Sequence, residues 1–288
     1  MRATRAKALP LIIVPVLVGS ALAPAIDWAR FALVVAGSSF AHLAAMVAND
    51  VFDEQCDRIA GMDRTAIVTA TGLIQTGVMS ARAMSMLAVA LGIGALGCGV
   101  PLVVAHPGVA WFMLGGAFLG WAYSGPPFRY GYRGRGLGEL GQVGAFGVLP
   151  VAGALYAQTG AFDIDAMWIG LVPGFLTMLV FFHHNLLHHR SDKAVGKMTP
   201  AALLGPEAAL LVGVALIGLS YASLAVVVAV GILPVLALIG LLPSVQLFAA
   251  WTRAFRDPAP QPLLQLLGAS LGASVLTGTW LAISLAFA

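Results

Sequence analysis

Residues 31–57 read FALVVAGSSFAHLAAMVANDVFDEQCD, an apolar segment that ends abruptly in acidic residues. The apolar part, Phe31 to Ala48, approaches the roughly 20 residues that a helix needs to cross a bilayer. Acidic residues are scarce, 12 in 288, yet four of them lie between Asp50 and Asp57. Carboxylates crowded beside hydrocarbon repel one another and lose hydration, which is unfavourable unless a cation or ligand compensates. The segment therefore predicts a membrane-spanning helix that ends in a cation-binding site.

The whole chain has the composition of an integral membrane protein. It is 60% hydrophobic and 9% charged, with a mean hydropathy of +0.94, whereas soluble domains carry about 25% charged residues. We predict an all-α fold, a polytopic membrane bundle of about nine transmembrane helices around a central cavity, forming one domain over residues 1–288. The predicted spans are residues 9–26, 30–48, 83–105, 109–123, 141–158, 166–187, 207–230, 232–250 and 262–287.

The basic residues predict the orientation of this bundle. With nine spans, 14 of the 15 Lys and Arg side chains fall on the N-terminal side, and Arg30 is the exception. The positive-inside rule makes that side cytoplasmic, so we predict a multi-pass protein of the inner (plasma) membrane with a cytoplasmic N-terminus. The polar connections at residues 49–83, 123–140 and 188–206 would then be cytoplasmic cap loops that carry the active site. Because the basic residues are spread over five predicted cytoplasmic segments, the net charge of +3 does not indicate nucleic-acid binding.

The first polar motif is Asn49-Asp50-x-x-Asp53-x-x-x-Asp57. If the helix continues through it, Asp50, Asp53 and Asp57 lie on one face, at positions i, i+3 and i+7. A few carboxylates that leave coordination positions for water and substrate phosphates are typical of Mg²⁺ sites, and Asn49 adds a neutral oxygen. We predict Mg²⁺ as the cofactor and a diphosphate as the ligand that it neutralises.

A second motif repeats this spacing near the end of another predicted span. Asn185, His188 and Asp192 stand at i, i+3 and i+7, so we expect two polar stripes from separate helices to face one another across the bundle. Asp192 and Asn185 would serve a second Mg²⁺ or its waters, with His188 as a hydrogen-bonding or proton-handling neighbour. Alternatively, His184 and His188 at i and i+4 are typical of a softer metal such as zinc.

Basic and aromatic side chains near these motifs are candidates for holding the diphosphate. Arginine binds phosphate through a forked pair of donors and lysine binds it as a point charge. By proximity in the sequence, the strongest candidates are Arg64, Lys193 and Lys197, followed by Arg129. Tyr123 begins the proline-containing connection that leads to Arg129, and it is either a site residue or a member of the interfacial aromatic belt.

These motifs resemble those of the UbiA superfamily of intramembrane prenyltransferases. The stretch from Asn49 to Asp57 looks like that family's first aspartate-rich motif, and Asp192-Lys-Ala-Val-Gly-Lys-Met-Thr199 resembles the end of its second motif. The stretch Tyr123-Ser-Gly-Pro-Pro-Phe-Arg-Tyr is similar to the branch that prenylates 1,4-dihydroxy-2-naphthoate in menaquinone synthesis. The resemblance implies a cavity that opens laterally to lipid, with Mg²⁺ bridging the two acidic motifs and a polyprenyl diphosphate.

The resemblance also implies a role for each matching residue. By position, the metal ligands would be Asn49, Asp53, Asp57 and Asp192. Asp50 would support them. The family's earlier aspartate of the second motif falls on His188 in this sequence.

The implied activity is transfer of a polyprenyl group from its diphosphate to a hydroxylated aromatic acid, 1,4-dihydroxy-2-naphthoate in this branch, giving demethylmenaquinone. Polyprenyl diphosphate, the aromatic acid acceptor and membrane lipids would be the partners. On the same fold, an intramembrane terpene cyclase or a transferase for another acceptor stays open. A non-enzymatic carrier of cations or isoprenoids is a further alternative. A carrier would need polar residues along the whole path, and the external half of the predicted spans has almost none, which disfavours it.

Overall fold

The structure, a computed structural model, describes residues 6–62 and 71–287 of the chain. Within those residues every regular element is a helix, and no strand occurs. The α-helices are α1 (Pro10–Ala21), α2 (Trp28–Phe52), α3 (Glu54–Met62), α4 (Ala81–Ala105), α5 (Val109–Ser124), α6 (Leu137–Val143), α7 (Leu149–Thr159), α8 (Ile164–Ala194), α9 (Pro200–Leu204), α10 (Pro206–Ala229), α11 (Pro243–Arg256) and α12 (Pro260–Ala286). Short 3-10 helices lie at Ala6–Ala8, Tyr130–Tyr132 and Val235–Leu241. A π-helical turn, Gly144–Val148, joins α6 to α7.

Among the described residues, seven helical segments are long and apolar enough to cross a membrane. They are Trp28–Phe52, Ala81–Ala105, Leu137–Thr159, Ile164–Ala194, Pro206–Ala229, Val235–Arg256 and Pro260–Ala286. Two shorter apolar helices, Ala6–Ala21 and Val109–Ser124, coincide with the two remaining predicted spans. The prediction of an all-α polytopic bundle is confirmed.

Helix α8 lies at the centre of the bundle. It is the longest helix, with 31 residues, and buried residues occur along most of its length. It packs against α7, α10 and α12. It approaches the π-helical turn closely because a glycine lies on each side of the contact. A Cβ added to Gly147 would lie 2.2 Å from the carbonyl oxygen of Gly170. Small residues allow this close approach of backbones in membrane bundles.

At one end of the bundle, a polar cluster surrounds the first residues of α2. The Asp27 carboxylate accepts hydrogen bonds from the N–H groups of Ala29 and Arg30, each at 3.0 Å, and so caps the helix. The Arg30 guanidinium lies 3.0 Å from Nε2 of His106 and donates to the carbonyl of Gln158 at 2.9 Å. We call these residues, Asp27, Arg30, His106 and Gln158, the Arg30 cluster. It ties α2 to the α4–α5 connection and to α7.

At the other end, the backbone of both acidic motifs is largely helical and is not an open loop. Asp53 forms a turn (φ −92°, ψ 8°) between α2 and α3. Helical hydrogen bonds continue across this turn, from the Asp53 N–H to the Asn49 carbonyl (2.8 Å) and from the Asp57 N–H to the Asp53 carbonyl (2.9 Å). Asn185, His188 and Asp192 of the second motif lie on α8. The connections predicted at residues 49–83 and 188–206 therefore do not start at residues 49 and 188, and those two predicted starts are wrong. Polar side chains alone do not end a helix.

Candidate active site

Two carboxylates from separate helices face one ammonium group. Nζ of Lys197 lies 3.8 Å from Oδ2 of Asp53, at the end of α2, and 3.6 Å from Oδ1 of Asp192, near the end of α8. The side chains of Lys197, Asp53 and Asp192 are only 8%, 9% and 1% exposed. We call these three residues the Lys197 site. The two acidic motifs thus converge on one buried point.

The backbone that follows α8 brings Lys197 to this point. Gly196 has a left-handed φ of +73°. Its N–H donates to the Lys193 carbonyl at 3.2 Å, and the Lys197 N–H donates to the Asp192 carbonyl at 2.8 Å. These two bonds form a Schellman motif, which commonly packs an apolar residue back against the last helical turn. Here the returning residue is Lys197, so its ammonium meets the carboxylate of Asp192.

Neutral donors orient the Asp53 carboxylate. The Tyr132 hydroxyl donates to Oδ1 of Asp53, and Nδ2 of Asn49 donates to Oδ2 at 3.1 Å. The Ser124 hydroxyl donates in turn to Oδ1 of Asn49. In this arrangement Asn49 acts on Asp53 as a hydrogen-bond donor, and its own oxygen is engaged by Ser124. Such bonds fix the direction in which a carboxylate presents its oxygens.

The Asp192 carboxylate is oriented in the same way. The Cys56 thiol donates to Oδ1 at 3.3 Å, and the Thr199 hydroxyl donates to Oδ2 at 3.4 Å. Burial, followed by the negative charge of Asp192, raises the pKa of the Cys56 thiol to about 12. The thiol therefore keeps its proton at neutral pH and remains a donor to Asp192.

Tyr132, in the α5–α6 connection, covers the Lys197 site. Its ring centre lies 5.2 Å from Nζ of Lys197 and 5.7 Å from Cζ of Arg129, both within the range of cation–π attraction. The Met198 N–H donates to the Tyr132 carbonyl at 2.9 Å, which joins this connection to the one that follows α8. Burial, and then the nearby Asp53, raise the pKa of Tyr132. Its hydroxyl is thus protonated at neutral pH.

The surroundings of Lys197 favour its charged form. Burial alone would lower the pKa of this ammonium, but the facing Tyr123, Asp192 and Asp53 outweigh burial and raise the pKa of Lys197. Lys197 is therefore a buried cation at neutral pH.

The other predicted members of the first motif lie beside this site. Asp50 is buried and accepts a hydrogen bond from the Thr71 hydroxyl at 2.9 Å. It is thereby engaged with the segment that follows α3. Asp57 lies on α3, one turn after Asp53, and is partly buried.

The remaining candidates on and after α8 differ in burial. Asn185 and His188 are buried, and the rings of His184 and His188 are 4.7 Å apart. Lys193 is exposed in the last turn of α8.

Three further predicted site residues precede α8 in the chain. The ring of Tyr123 packs edge-on against that of Tyr130, with centres 5.5 Å apart. Arg129 is exposed and contacts the ring of Tyr132, which borders the site. Arg64 lies outside the described residues.

The donors at this point suit a hard divalent cation that also binds substrate. Mg²⁺ is commonly held by one or two carboxylates together with substrate phosphates and water, and Asp53 and Asp192 offer two carboxylates to a common point. Within residues 6–62 and 71–287, no group of three or more His, Cys, Asp or Glu side chains has metal-binding geometry. In that part of the chain, zinc at His184 and His188 gains no third protein ligand.

The sequence did not reveal four contributors to the site: Tyr132, Ser124, Cys56 and Thr199. Tyr132 and Ser124 contact residues that are 79 and 75 positions away along the chain, and no local pattern marks such contacts. The pair Thr199-Pro200 does carry a signal, because Thr199 caps α9 and proline follows at the first helical position. That signal places a helix start, but it does not reveal the bond to Asp192.

Comparison with known protein sequences gives two findings. Residues 12–265 match the protein family described as the UbiA prenyltransferase family. Over 116 residues, the chain is 36% identical to the 2-carboxy-1,4-naphthoquinone phytyltransferase of Synechocystis sp. (strain ATCC 27184 / PCC 6803 / Kazusa). That match covers 40% of this chain and 36% of the relative, so the chain spans about a third of the length of this relative.

Solved structures share the fold over nearly the whole chain. A UbiA homologue from Archaeoglobus fulgidus bound to GPP and Mg²⁺ has a TM-score of 0.69 and 18% identity, over 100% of this chain and 99% of that one. The apo structure of a UbiA homologue from Aeropyrum pernix K1 has a TM-score of 0.73 and 19% identity, over 94% of this chain and 98% of that one. At these identities the likeness establishes the fold alone.

Proposed function

The chain belongs to the UbiA prenyltransferase family, and on that premise we propose that it transfers a polyprenyl group from its diphosphate to a hydroxylated aromatic acid, with Mg²⁺ as cofactor. We infer 1,4-dihydroxy-2-naphthoate as the acceptor and the quinol form of demethylmenaquinone as the immediate product, which becomes demethylmenaquinone only in a separate two-electron oxidation. The naphthoquinone phytyltransferase from Synechocystis sp. supports this choice of ring.

The observation that carries the proposal is the convergence of Asp53 and Asp192 on Lys197. Two buried carboxylates repel a diphosphate unless cations lie between them and the ligand. A site with two oriented carboxylates and one buried ammonium suits a diphosphate that arrives with a divalent cation.

We assign the holding of the metal to the two acidic motifs. Mg²⁺, when bound, would neutralise the diphosphate and stabilise it as a leaving group. Asp53 and Asp192 would hold this ion, with Asn49 and Asp57 as further oxygen ligands from the first motif. Asp50 would support them through its bond to the segment after α3.

We assign the diphosphate itself to the cations around the site. Lys197 would contact it directly. Lys193 and Arg129, both exposed, would contribute at the entrance, together with Arg64. Asn185 would hydrogen-bond the bound waters. The C–O bond of the prenyl diphosphate breaks, and its electron pair leaves with the diphosphate.

The remaining groups serve the reaction of the allylic cation. The ring faces of Tyr132 and Tyr123 would stabilise its positive charge. A ring carbon of the acceptor forms the new C–C bond with the allylic cation and releases its proton, and the carboxylate leaves the ring as carbon dioxide while a proton takes its place. We assign proton handling to His188, one turn before Asp192 on α8.

We further propose that the chain acts as one domain over residues 1–288 in the inner (plasma) membrane. The basic residues favour a cytoplasmic N-terminus and a cytoplasmic site. The polyprenyl tail and the product would then enter the lipid phase.

The test is an assay of the purified protein in lipid nanodiscs. Mg²⁺, farnesyl diphosphate and a panel of aromatic acids are supplied, and products are identified by mass spectrometry. We expect a prenylated, decarboxylated naphthalene-diol only when Mg²⁺ and 1,4-dihydroxy-2-naphthoate are both present. His188→Asp tests proton handling in the same assay, with an expected change in the pH profile of turnover.

The alternatives give different products in this assay. Cyclised hydrocarbon without any acceptor would identify a terpene cyclase. Turnover with another aromatic acid alone would replace the inferred acceptor. Uptake of prenyl diphosphate or Mg²⁺ into liposomes without any turnover would indicate a carrier.

A further inference from the structure

The ammonium of Lys197 lies beside the two carboxylates that a shared cation would contact, those of Asp53 and Asp192. It is within 4 Å of a carboxylate oxygen of each residue. A hard divalent cation binds carboxylate oxygens at about 2.0–2.6 Å, so it would enter the same space. Two positive groups at such a distance repel strongly in a buried site.

Electrostatic attraction holds the ammonium of Lys197 in this position, but its side chain is long enough to move away from the two carboxylates. The facing charges hold it there, because two buried carboxylates without a counter-charge repel each other. Its backbone is fixed by the Schellman bonds at Asp192 and Gly196, whereas its four-carbon stem can adopt other rotamers. The centre of the Tyr132 ring lies 5.2 Å from Nζ and offers the ammonium a further contact within the range of cation–π attraction.

We propose that Lys197 is an internal counter-ion that competes with the divalent cation for Asp53 and Asp192, so that the metal binds tightly only when a diphosphate draws the ammonium away. The inference rests on the proposed function, since it takes a prenyl diphosphate as the ligand. Lys197 then acts as a positioning residue that sets the order of binding. By linkage, the diphosphate and the metal each raise the affinity of the other by the same factor.

The test measures metal affinity directly and needs no acceptor and no turnover. Mn²⁺ is titrated into the purified protein, and unbound Mn²⁺ is followed by electron paramagnetic resonance. The titration is repeated with saturating farnesyl S-thiolodiphosphate, a slowly reacting prenyl diphosphate analogue. The ratio of the two dissociation constants gives the coupling between metal and diphosphate.

Lys197→Met keeps the length of the side chain and removes the charge. We expect it to bind Mn²⁺ alone at least ~10-fold more tightly than the wild type, and to show a coupling ratio lower by at least ~10-fold. Arg133→Met is the matched control, because it removes an exposed cation from the α5–α6 connection. Its affinity for Mn²⁺ should stay within about 3-fold of the wild type.

Two results would overturn the proposal. One is a Lys197→Met protein whose affinity for Mn²⁺ alone stays within about 3-fold of the wild type. This result is expected if Lys197 only binds the diphosphate and does not compete with the metal. The other is an equal gain in the Arg133→Met control, as a diffuse charge effect would predict. If Lys197→Met does not fold, Lys197→Gln removes the same charge and is judged by the same values. Failure of the proposed function appears separately, as absent turnover in the acceptor panel.

Discussion

Two polar clusters occupy opposite ends of α2, and they differ in charge balance and in burial. The Arg30 cluster pairs one carboxylate with one guanidinium, with side chains that are 44% and 32% exposed. The Lys197 site places two carboxylates around one ammonium, with all three side chains below 10% exposure. An exposed, balanced pair is a structural contact of small energy. In the described residues, the two buried carboxylates share one cation, which leaves a net negative charge. This charge favours binding of a further positive ligand.

The hydrogen bonds of the two clusters show the same difference. In the Arg30 cluster the partners include main-chain groups of neighbouring elements, such as the Gln158 carbonyl and the N–H groups capped by Asp27. In the Lys197 site, the hydrogen bonds that the described residues make to the two carboxylates come from side chains, including Tyr132 and Cys56. Hydrogen bonds to main-chain groups stabilise the fold. Carboxylates that are held by side chains can exchange their partners when a ligand binds. A substitution in the Lys197 site should therefore lower activity, whereas a matched substitution in the Arg30 cluster should mainly affect stability.

The largest effect is expected from neutralising the carboxylates. Asp53→Asn or Asp192→Asn should lower prenyl transfer by about 100-fold or more, because the metal and the diphosphate lose a charged ligand. The control is Asp27→Asn, the same change in the Arg30 cluster, which should keep transfer within about 3-fold of the wild type. Comparable losses in all three variants, at equal folded yield, would show that the difference between the clusters has no functional meaning.

A smaller effect is expected from the hydroxyl of Tyr132. Tyr132→Phe keeps the ring beside Lys197 and removes the donor to Asp53, so we expect about a 10-fold loss of kcat and a higher requirement for Mg²⁺. Tyr130→Phe is the matched change, because that hydroxyl bonds the Leu119 carbonyl at 2.8 Å. It should lower stability by about 1 kcal/mol and leave the Mg²⁺ requirement unchanged. Equal Mg²⁺ requirements in both variants would remove Tyr132 from the site.

Gly196→Ala tests the backbone that places Lys197. A residue with a side chain is strained at φ +73°, so we expect a loss of about 1 kcal/mol in thermal unfolding together with a several-fold rise in KM for the prenyl diphosphate. Gly218→Ala, within α10, should be neutral or slightly stabilising, because an added Cβ there would meet no atom within 4 Å. An unchanged KM in Gly196→Ala would mean that the Schellman turn does not set the position of the ammonium.

The smallest effect on activity is expected at Arg30. Arg30→Gln removes the contact with His106 and weakens the bond to the Gln158 carbonyl. We expect stability to fall by about 1 kcal/mol in a thermal melt, since the group is partly exposed. Transfer at a temperature well below the melt should be unchanged. A large loss of transfer in the folded variant would mean that this end of the bundle takes part in the reaction.

Much of the fold could be predicted because apolar spans leave a strong sequence signal. Every predicted span contains a helix of the described chain, since backbone groups in hydrocarbon must bond within the helix. The ends were less predictable, because α2 and α8 continue through polar residues for one to two turns. Helix ends depend on capping residues such as Gly196 more than on where polarity begins.

The candidate site could be predicted only in part. Asp53 and Asp192 stand out because charge is rare and costly in this composition. Lys197 was a candidate by proximity in sequence, but its position between the two carboxylates follows from the turn at Gly196. Tyr132 was not identified, because its contact with Asp53 depends on how the α5–α6 connection folds over the bundle, and no periodicity encodes that contact.

The most direct measurement is an experimental structure of the protein soaked with Mn²⁺ and farnesyl S-thiolodiphosphate, with the metal located by its anomalous scattering. We predict a Mn²⁺ peak within about 2.0–2.6 Å of carboxylate oxygens of both Asp53 and Asp192, with the diphosphate bound to it and Nζ of Lys197 turned toward a phosphate oxygen. A metal held elsewhere, with Lys197 still between the two carboxylates, would contradict this assignment.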